Sequence, residues 1–152
     1  MNKDMTLKIH ANLSDLKRIR DYVESKVQTF QLAAPNIYDI LLITTEAATN
    51  ILIHGYLGQS GLIEIGVKVS AGSVYISLRD KAPYFDPNQV SAPDITLPLE
   101  KRPLGGMGIH LMRQFSDQII YQALPQGGNE LTLIKRCAIP NLNLDDSDAK
   151  YN

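Results

Sequence analysis

Glu46, Asn50 and His54 recur at every fourth position in the segment EAATNILIHGY, residues 46–56. On an α-helix, positions i, i+4 and i+8 share a face, so these polar groups would project together from an otherwise apolar helix. The chemistry open to such a face is specific. An amide oxygen is a hard ligand suited to Mg²⁺, and a carboxylate one turn away can take a proton from a nucleophile attacking a metal-bound phosphate. A solvated or hydrogen-bonded stripe has the same spacing, and the segment alone leaves both readings open. His54, at the end of the run, reads as a group that caps or packs the helix end.

Two further segments carry chemistry of the same kind. In RDKAPYFDP (79–87), Asp80 ends a strand-like run and opens a long loop. A carboxylate held there can accept a hydrogen bond from an exocyclic amine and so discriminate adenine from bases lacking that donor. An ordinary turn aspartate is the alternative. In PLGGMGIH (103–110), glycines stand at a loop-to-helix junction. Backbone N–H groups there can approach phosphate, and the helix N-terminus adds roughly half a positive charge. A plain flexible turn has the same composition.

The elements that would position these residues follow from periodicity and punctuation. Met5, Leu7 and Ile9 alternate with polar residues and predict a short strand. Ser14 reads as an N-cap with Asp15 in the first turn, and Leu16, Ile19, Val23 and Val27 recur at helical spacing to about Phe30. Pro35 suits a first helical turn, and a broad apolar face from Ile37 to Leu52 predicts a second helix ending at Gly55. Ile63 to Val69 and Val74 to Leu78 alternate around Ala71-Gly72, a β-hairpin with one buried face. From Lys81 to Leu104 the chain carries five prolines and little periodicity, which reads as a functional loop or lid ordered by a ligand. Gly105 to Phe115 predicts a helix, and Ile119 to Leu124 and Asn129 to Cys137 two more strands hinged at Pro125 to Gly128. The order β-α-α-β-β-loop-α-β-β makes an α+β two-layer sandwich, a mostly antiparallel sheet with helices on one face. Residues 1–137 form the domain, and 138–152 read as a disordered tail.

Composition narrows the function further. The 152 residues suit one domain, with 44% hydrophobic and 20% charged residues, as in a globular protein. A net charge of −1 gives no bulk positive field for nucleic acid or an anionic membrane surface. Cys137, the single cysteine, excludes an internal disulfide and a cysteine-based metal site. With no signal-like or membrane-spanning run, the expected location is cytoplasmic.

Taken in order, Glu-x3-Asn on a helix, a hairpin ending in Asp-x5-Asp, a long loop, GGMG opening a helix and GGNELTLIKR on a last strand resemble the ATP-binding domain shared by gyrase-type ATPases and histidine kinases, the Bergerat fold. Within that superfamily the chain most resembles the anti-sigma-factor serine kinases and related switch-protein kinases of bacteria, over about Met5 to Arg136. The resemblance implies Asn50 as the Mg²⁺ ligand, Glu46 as general base and Asp80 as acceptor for the adenine amine. It implies Gly105, Gly106, Met107 and Gly108 at the phosphates, with Ala82, Asp86 and Asn129 as further nucleotide-binding positions. Ala82 stands where the family has glycine, and Asn129 where larger relatives have threonine. Arg20 falls where the family contacts partners.

The resemblance also implies a function: an ATP- and Mg²⁺-dependent protein serine/threonine kinase that phosphorylates a small antagonist protein and sequesters a sigma factor or an equivalent regulator. The implied assembly is a homodimer formed through the first strand and helix. Lys101 and Arg102 could neutralise phosphate charge. The alternative is a partner-binding switch module of the same fold that hydrolyses ATP or has no catalysis.

Overall fold

The computed structural model describes residues 5–91, 96–101 and 106–137. β1 (Met5–Ala11) leads through a 3-10 turn into α1 (Leu16–Val27), and α2 (Ala34–Asn50) follows. The hairpin β2 (Gly61–Ser70) and β3 (Ser73–Asp80) precedes α3 (Gly106–Phe115), β4 (Gln118–Ala123) and β5 (Asn129–Arg136). The five strands form one antiparallel sheet in the order β1-β2-β3-β5-β4.

Strand alternation fixes which face of the sheet is covered. Ile63, Ile65 and Val67 of β2, Val74, Ile76 and Leu78 of β3, and Leu131 and Leu133 of β5 are buried. Their partners in the core are Ile19, Val23 and Val27 of α1, Ile40, Ile43 and Ala47 of α2, and Ile109 and Met112 of α3. Each fully buried aliphatic side chain contributes about 1.5–3 kcal/mol, so this single layer of contacts is the main force holding helices to sheet. On the other face Thr6, Lys8 and His10 of β1 are exposed. α2 is the middle helix, packed against both α1 and α3, and it is therefore the helix whose exposed stripe is enclosed by neighbours.

Local chemistry sets the boundaries. The first cap is Asn12 rather than Ser14: Asn12 Oδ1 accepts from the Ser14 N–H (2.9 Å), and Asp15 Oδ2 accepts from the Asn12 N–H (2.9 Å). That reciprocal pair satisfies two otherwise unpaired donors at the helix start. The α1 periodicity runs on as the 3-10 turn Gln28–Phe30. Ala71 and Gly72 both adopt positive φ (48° and 78°), the conformation a two-residue hairpin needs to match strand twist. Within the long proline loop two 3-10 turns form, Pro87–Gln89 and Leu99–Lys101. The expected tail, residues 138–152, lies outside the described residues. Among the described residues no helix is long and apolar enough to cross a membrane.

Candidate active site

α2 carries Glu46 and Asn50 one turn apart, both half-buried. Three threonines on the same helix, Thr44, Thr45 and Thr49, turn their hydroxyls back onto the carbonyls four residues earlier (2.7, 2.8 and 2.7 Å), so they compete for nothing in the site. Regular α-helix stops at Asn50 and a π-helical turn, Ile51–Gly55, takes over. Such wide turns recur at functional sites because they re-aim side chains. His54 is exposed on this turn, so it does not pack into the core.

Asn50 Nδ2 is buried and has no hydrogen-bond partner among the described residues. A buried amide without a protein partner costs about 1–3 kcal/mol and calls for a ligand or ion to satisfy it. Rotating the amide presents its oxygen at the same place. The neighbour across the site is Gly108 of α3, where a methyl group would lie 2.8 Å from Glu46 Oε2 and 3.4 Å from Asn50 Oδ1. A side chain at this position would have to displace the Glu46 carboxylate, so glycine lets α3 approach without moving it.

Asp80 lines the same pocket as Asn50. It is 6% exposed, and burial pushes its carboxyl above the ordinary aspartate value, opposed by hydrogen bonds from Asn129 and Ala82. Oδ1 accepts from the Ala82 N–H (2.9 Å) and from Asn129 Nδ2 (2.9 Å). Asp80 and Asn129 are cross-strand partners at the matching ends of β3 and β5. Gly128 permits that pairing: its φ is +96°, and a methyl group there would lie 2.0 Å from the Asp80 carbonyl oxygen. Ala82 is buried, with its methyl over Gly55. Ile51, Phe85, Met112 and Leu131 supply apolar wall. A scaffold-held carboxylate in such a pocket accepts from an amine and repels a carbonyl oxygen.

The remaining expected residues are distributed as follows. Gly106 and Met107 stand in the first turn of α3, while Gly105 and Arg102 lie outside the described residues. Asp86 does not line the pocket; its Oδ1 accepts from the Asn88 N–H (2.8 Å) and caps the turn Pro87–Gln89. Lys101 is exposed. Arg20 is apart from the pocket, exposed on α1 along a shallow groove toward Thr45 of α2.

Four residues that shape the site were not legible from sequence patterns. Tyr56 donates to the Leu62 carbonyl (2.7 Å) and accepts from the Lys81 N–H (2.7 Å), tying the end of α2 to β2 and the loop after β3. Arg113 of α3 donates to the carbonyls of Pro87 (2.7 Å) and Val90. Tyr84 donates to the Leu124 carbonyl (2.8 Å), and Tyr121 to Asn129 Oδ1 (2.5 Å). With Asn88 Nδ2 donating to the Ile119 carbonyl of β4 (3.2 Å), the portion of the proline loop from Lys81 to Val90 is fastened to α3, to β4 and to the residue after β4 by hydrogen bonds.

Residues 9–135 match the histidine kinase-like ATPase domain. The chain belongs to the histidine kinase-like ATPase family. It is 28% identical over 148 residues to the anti-sigma F factor of Geobacillus kaustophilus, covering 91% of this chain and 95% of that one. It is 31% identical over 100 residues to the anti-sigma F factor of Thermoanaerobacter pseudethanolicus (65% and 69%). With the serine/threonine-protein kinase BtrW of Bordetella bronchiseptica it shares 29% over 102 residues (66% and 71%). The fold matches a crystal structure of the RsbU and RsbW domains of a Mycobacterium tuberculosis protein, with a TM-score of 0.60 at 18% identity. That match covers 90% of this chain and 33% of the larger one. As a histidine kinase-like ATPase domain, the chain is ATP-binding.

Proposed function

We propose that this histidine kinase-like ATPase domain is a protein serine/threonine kinase that transfers the γ-phosphoryl group of ATP to a small antagonist protein and also holds a sigma factor or equivalent regulator. The observation that carries this reading is the alignment of a buried carboxylate (Asp80), an unsatisfied buried amide (Asn50) and a second carboxylate (Glu46) beside the glycine at the start of α3. Asp80 accepts from the adenine amine, and the first turn of α3 faces the phosphates with its N–H groups.

The donor set fits a hard divalent cation, because the Asn50 amide is buried, unpaired and close to the glycine that lies against Glu46. Mg²⁺, bound by Asn50 together with phosphate oxygens, would neutralise charge on the triphosphate. Glu46 then accepts the proton of the attacking hydroxyl as the new O–P bond forms and the bond from the γ-phosphorus to the bridging oxygen breaks, leaving ADP. In-line transfer asks little more of the protein than holding these groups in place.

Arg20, exposed and apart from the pocket, suits partner contact without interfering with nucleotide binding. β1 is an edge strand of the sheet, and its free edge supports a homodimer formed through β1 and α1. The relatives named as anti-sigma F factors support the regulator role, and a cytoplasmic setting goes with it. The test is transfer of ³²P from γ-labelled ATP to the antagonist protein encoded by the same host. Labelled antagonist is the expected product; free phosphate alone would make the domain a hydrolase.

A further inference from the structure

Asn129 lines the pocket, yet it is 6% exposed and the oxygen and nitrogen of its side chain are both engaged by protein groups. Oδ1 accepts from the Phe85 N–H (2.9 Å) and the Tyr121 hydroxyl (2.5 Å). Nδ2 donates to Asp80 Oδ1 (2.9 Å) and the Pro83 carbonyl (3.0 Å), with the Ala82 carbonyl also at 3.3 Å. An amide has two lone pairs and two N–H donors, so its hydrogen-bonding capacity is used within the protein. The orientation is dictated by the partners: the Phe85 N–H can only donate, and the two backbone carbonyls can only accept.

We propose that Asn129 is the positioning residue for base selectivity: it fixes the Asp80 carboxylate and the backbone from Ala82 to Phe85 as one unit, so adenine recognition depends on Asn129 without a hydrogen bond from Asn129 to the base. The physical reason lies in the number of elements it joins. Asp80 ends β3, Asn129 begins β5, Tyr121 lies on β4, and Ala82 to Phe85 form the loop that carries Phe85 into the pocket wall. A side chain with one donor and no amide could hold Asp80 or the loop but not both. The same bonds put a hydrogen-bond donor against Asp80, keeping it an acceptor despite its burial.

The inference rests on Asp80 being the adenine acceptor, and the experiment separates the two. ATP and GTP affinities are measured by calorimetry for the wild type and for Asp80→Asn, Asn129→Ala, Asn129→Asp and Tyr121→Phe, each checked for folding by circular dichroism. Asn129→Asp keeps the shape and both acceptor bonds while replacing the donor facing Asp80 by an acceptor. Expected are a loss of ATP affinity of about tenfold or more in both Asn129 variants, a fall in the ATP-to-GTP ratio, and a smaller fall in the same ratio for Tyr121→Phe. A purely structural role would lower the melting temperature and leave the ratio of the folded fraction alone. If Asp80→Asn leaves ATP binding intact, the adenine role of Asp80 fails. If Asp80→Asn weakens ATP but folded Asn129 variants keep the wild-type ratio, the positioning role is overturned. Should neither Asn129 variant fold, an unchanged ratio in Tyr121→Phe overturns it.

Discussion

Gly108 of α3 stands so close to Glu46 of α2 that a methyl group on it would lie 2.8 Å from the carboxylate oxygen Oε2. The approach of α3 to α2 at this point therefore depends on the absence of a side chain beside the carboxylate proposed as general base. Gly108→Ala should raise helix propensity by about 1 kcal/mol while pushing the Glu46 carboxylate aside. The expected outcome is a melting temperature unchanged or higher, ATP binding altered little, and phosphoryl transfer reduced about 10²-fold, the scale of a displacement near 1 Å. Transfer at the wild-type rate would show that Glu46 has room to act from elsewhere.

Glu46→Gln and Asn50→Ala should separate proton transfer from nucleotide binding. The glutamine keeps size and polarity but cannot take a proton, so ATP binding persists and transfer falls by about 10² or more. Truncating Asn50 removes an unsatisfied buried amide and should cost little stability while abolishing Mg·ATP binding. Titration calorimetry with and without Mg²⁺ distinguishes them; equal affinity with Asn50→Ala would remove it as the metal ligand.

Burial raises the Asp80 carboxyl above its ordinary value of 3.8. The folded state therefore holds the proton more tightly than the unfolded chain, and this residue's contribution to stability declines as pH rises through 3.8 and the raised value, remaining lower above it. Asp80→Asn preserves an acceptor for the Ala82 N–H and Asn129 Nδ2, so at pH 7 it should be as stable as the wild type or more so, while ATP affinity drops about tenfold or more. ATP binding by the wild type should weaken as pH falls through the raised value, because the adenine amine needs an ionised acceptor. Thermal melts and binding isotherms between pH 4 and 8 check both signs.

Gly55 and Ala82 share one small space: a methyl group on Gly55 would lie 2.8 Å from the Ala82 Cβ. Gly55→Ala should destabilise by about 1–3 kcal/mol through overpacking, and adding Ala82→Gly should recover most of the loss. Chemical denaturation of both single variants and the double variant reads the coupling. Independent, additive effects would mean the pocket wall relaxes without cost.

Periodicity and punctuation made most of the fold legible. The alternation in β2 and β3, the Ala71-Gly72 turn and the apolar stripes of α1 and α2 are local patterns, and each survives in the structure because the buried face it defines has only one way to be covered. The chemistry-bearing residues were legible for a similar reason. The i, i+4 spacing of Glu46 and Asn50 puts them on one face wherever the helix goes. Their relation to Asp80 and Gly108 is another matter, since it depends on strand order and on the packing of α3 against α2, which bring together residues far apart in the chain. The π turn after Asn50 was invisible because its cause is not local: Gly55 must pass Ala82, and Tyr56 must reach Leu62 and Lys81. The role of Asn129 was decided by tertiary structure alone. A buried amide acts through whichever donors and acceptors surround it, and those come from β3, β4 and the loop between β3 and α3, none of which its own neighbours in sequence specify.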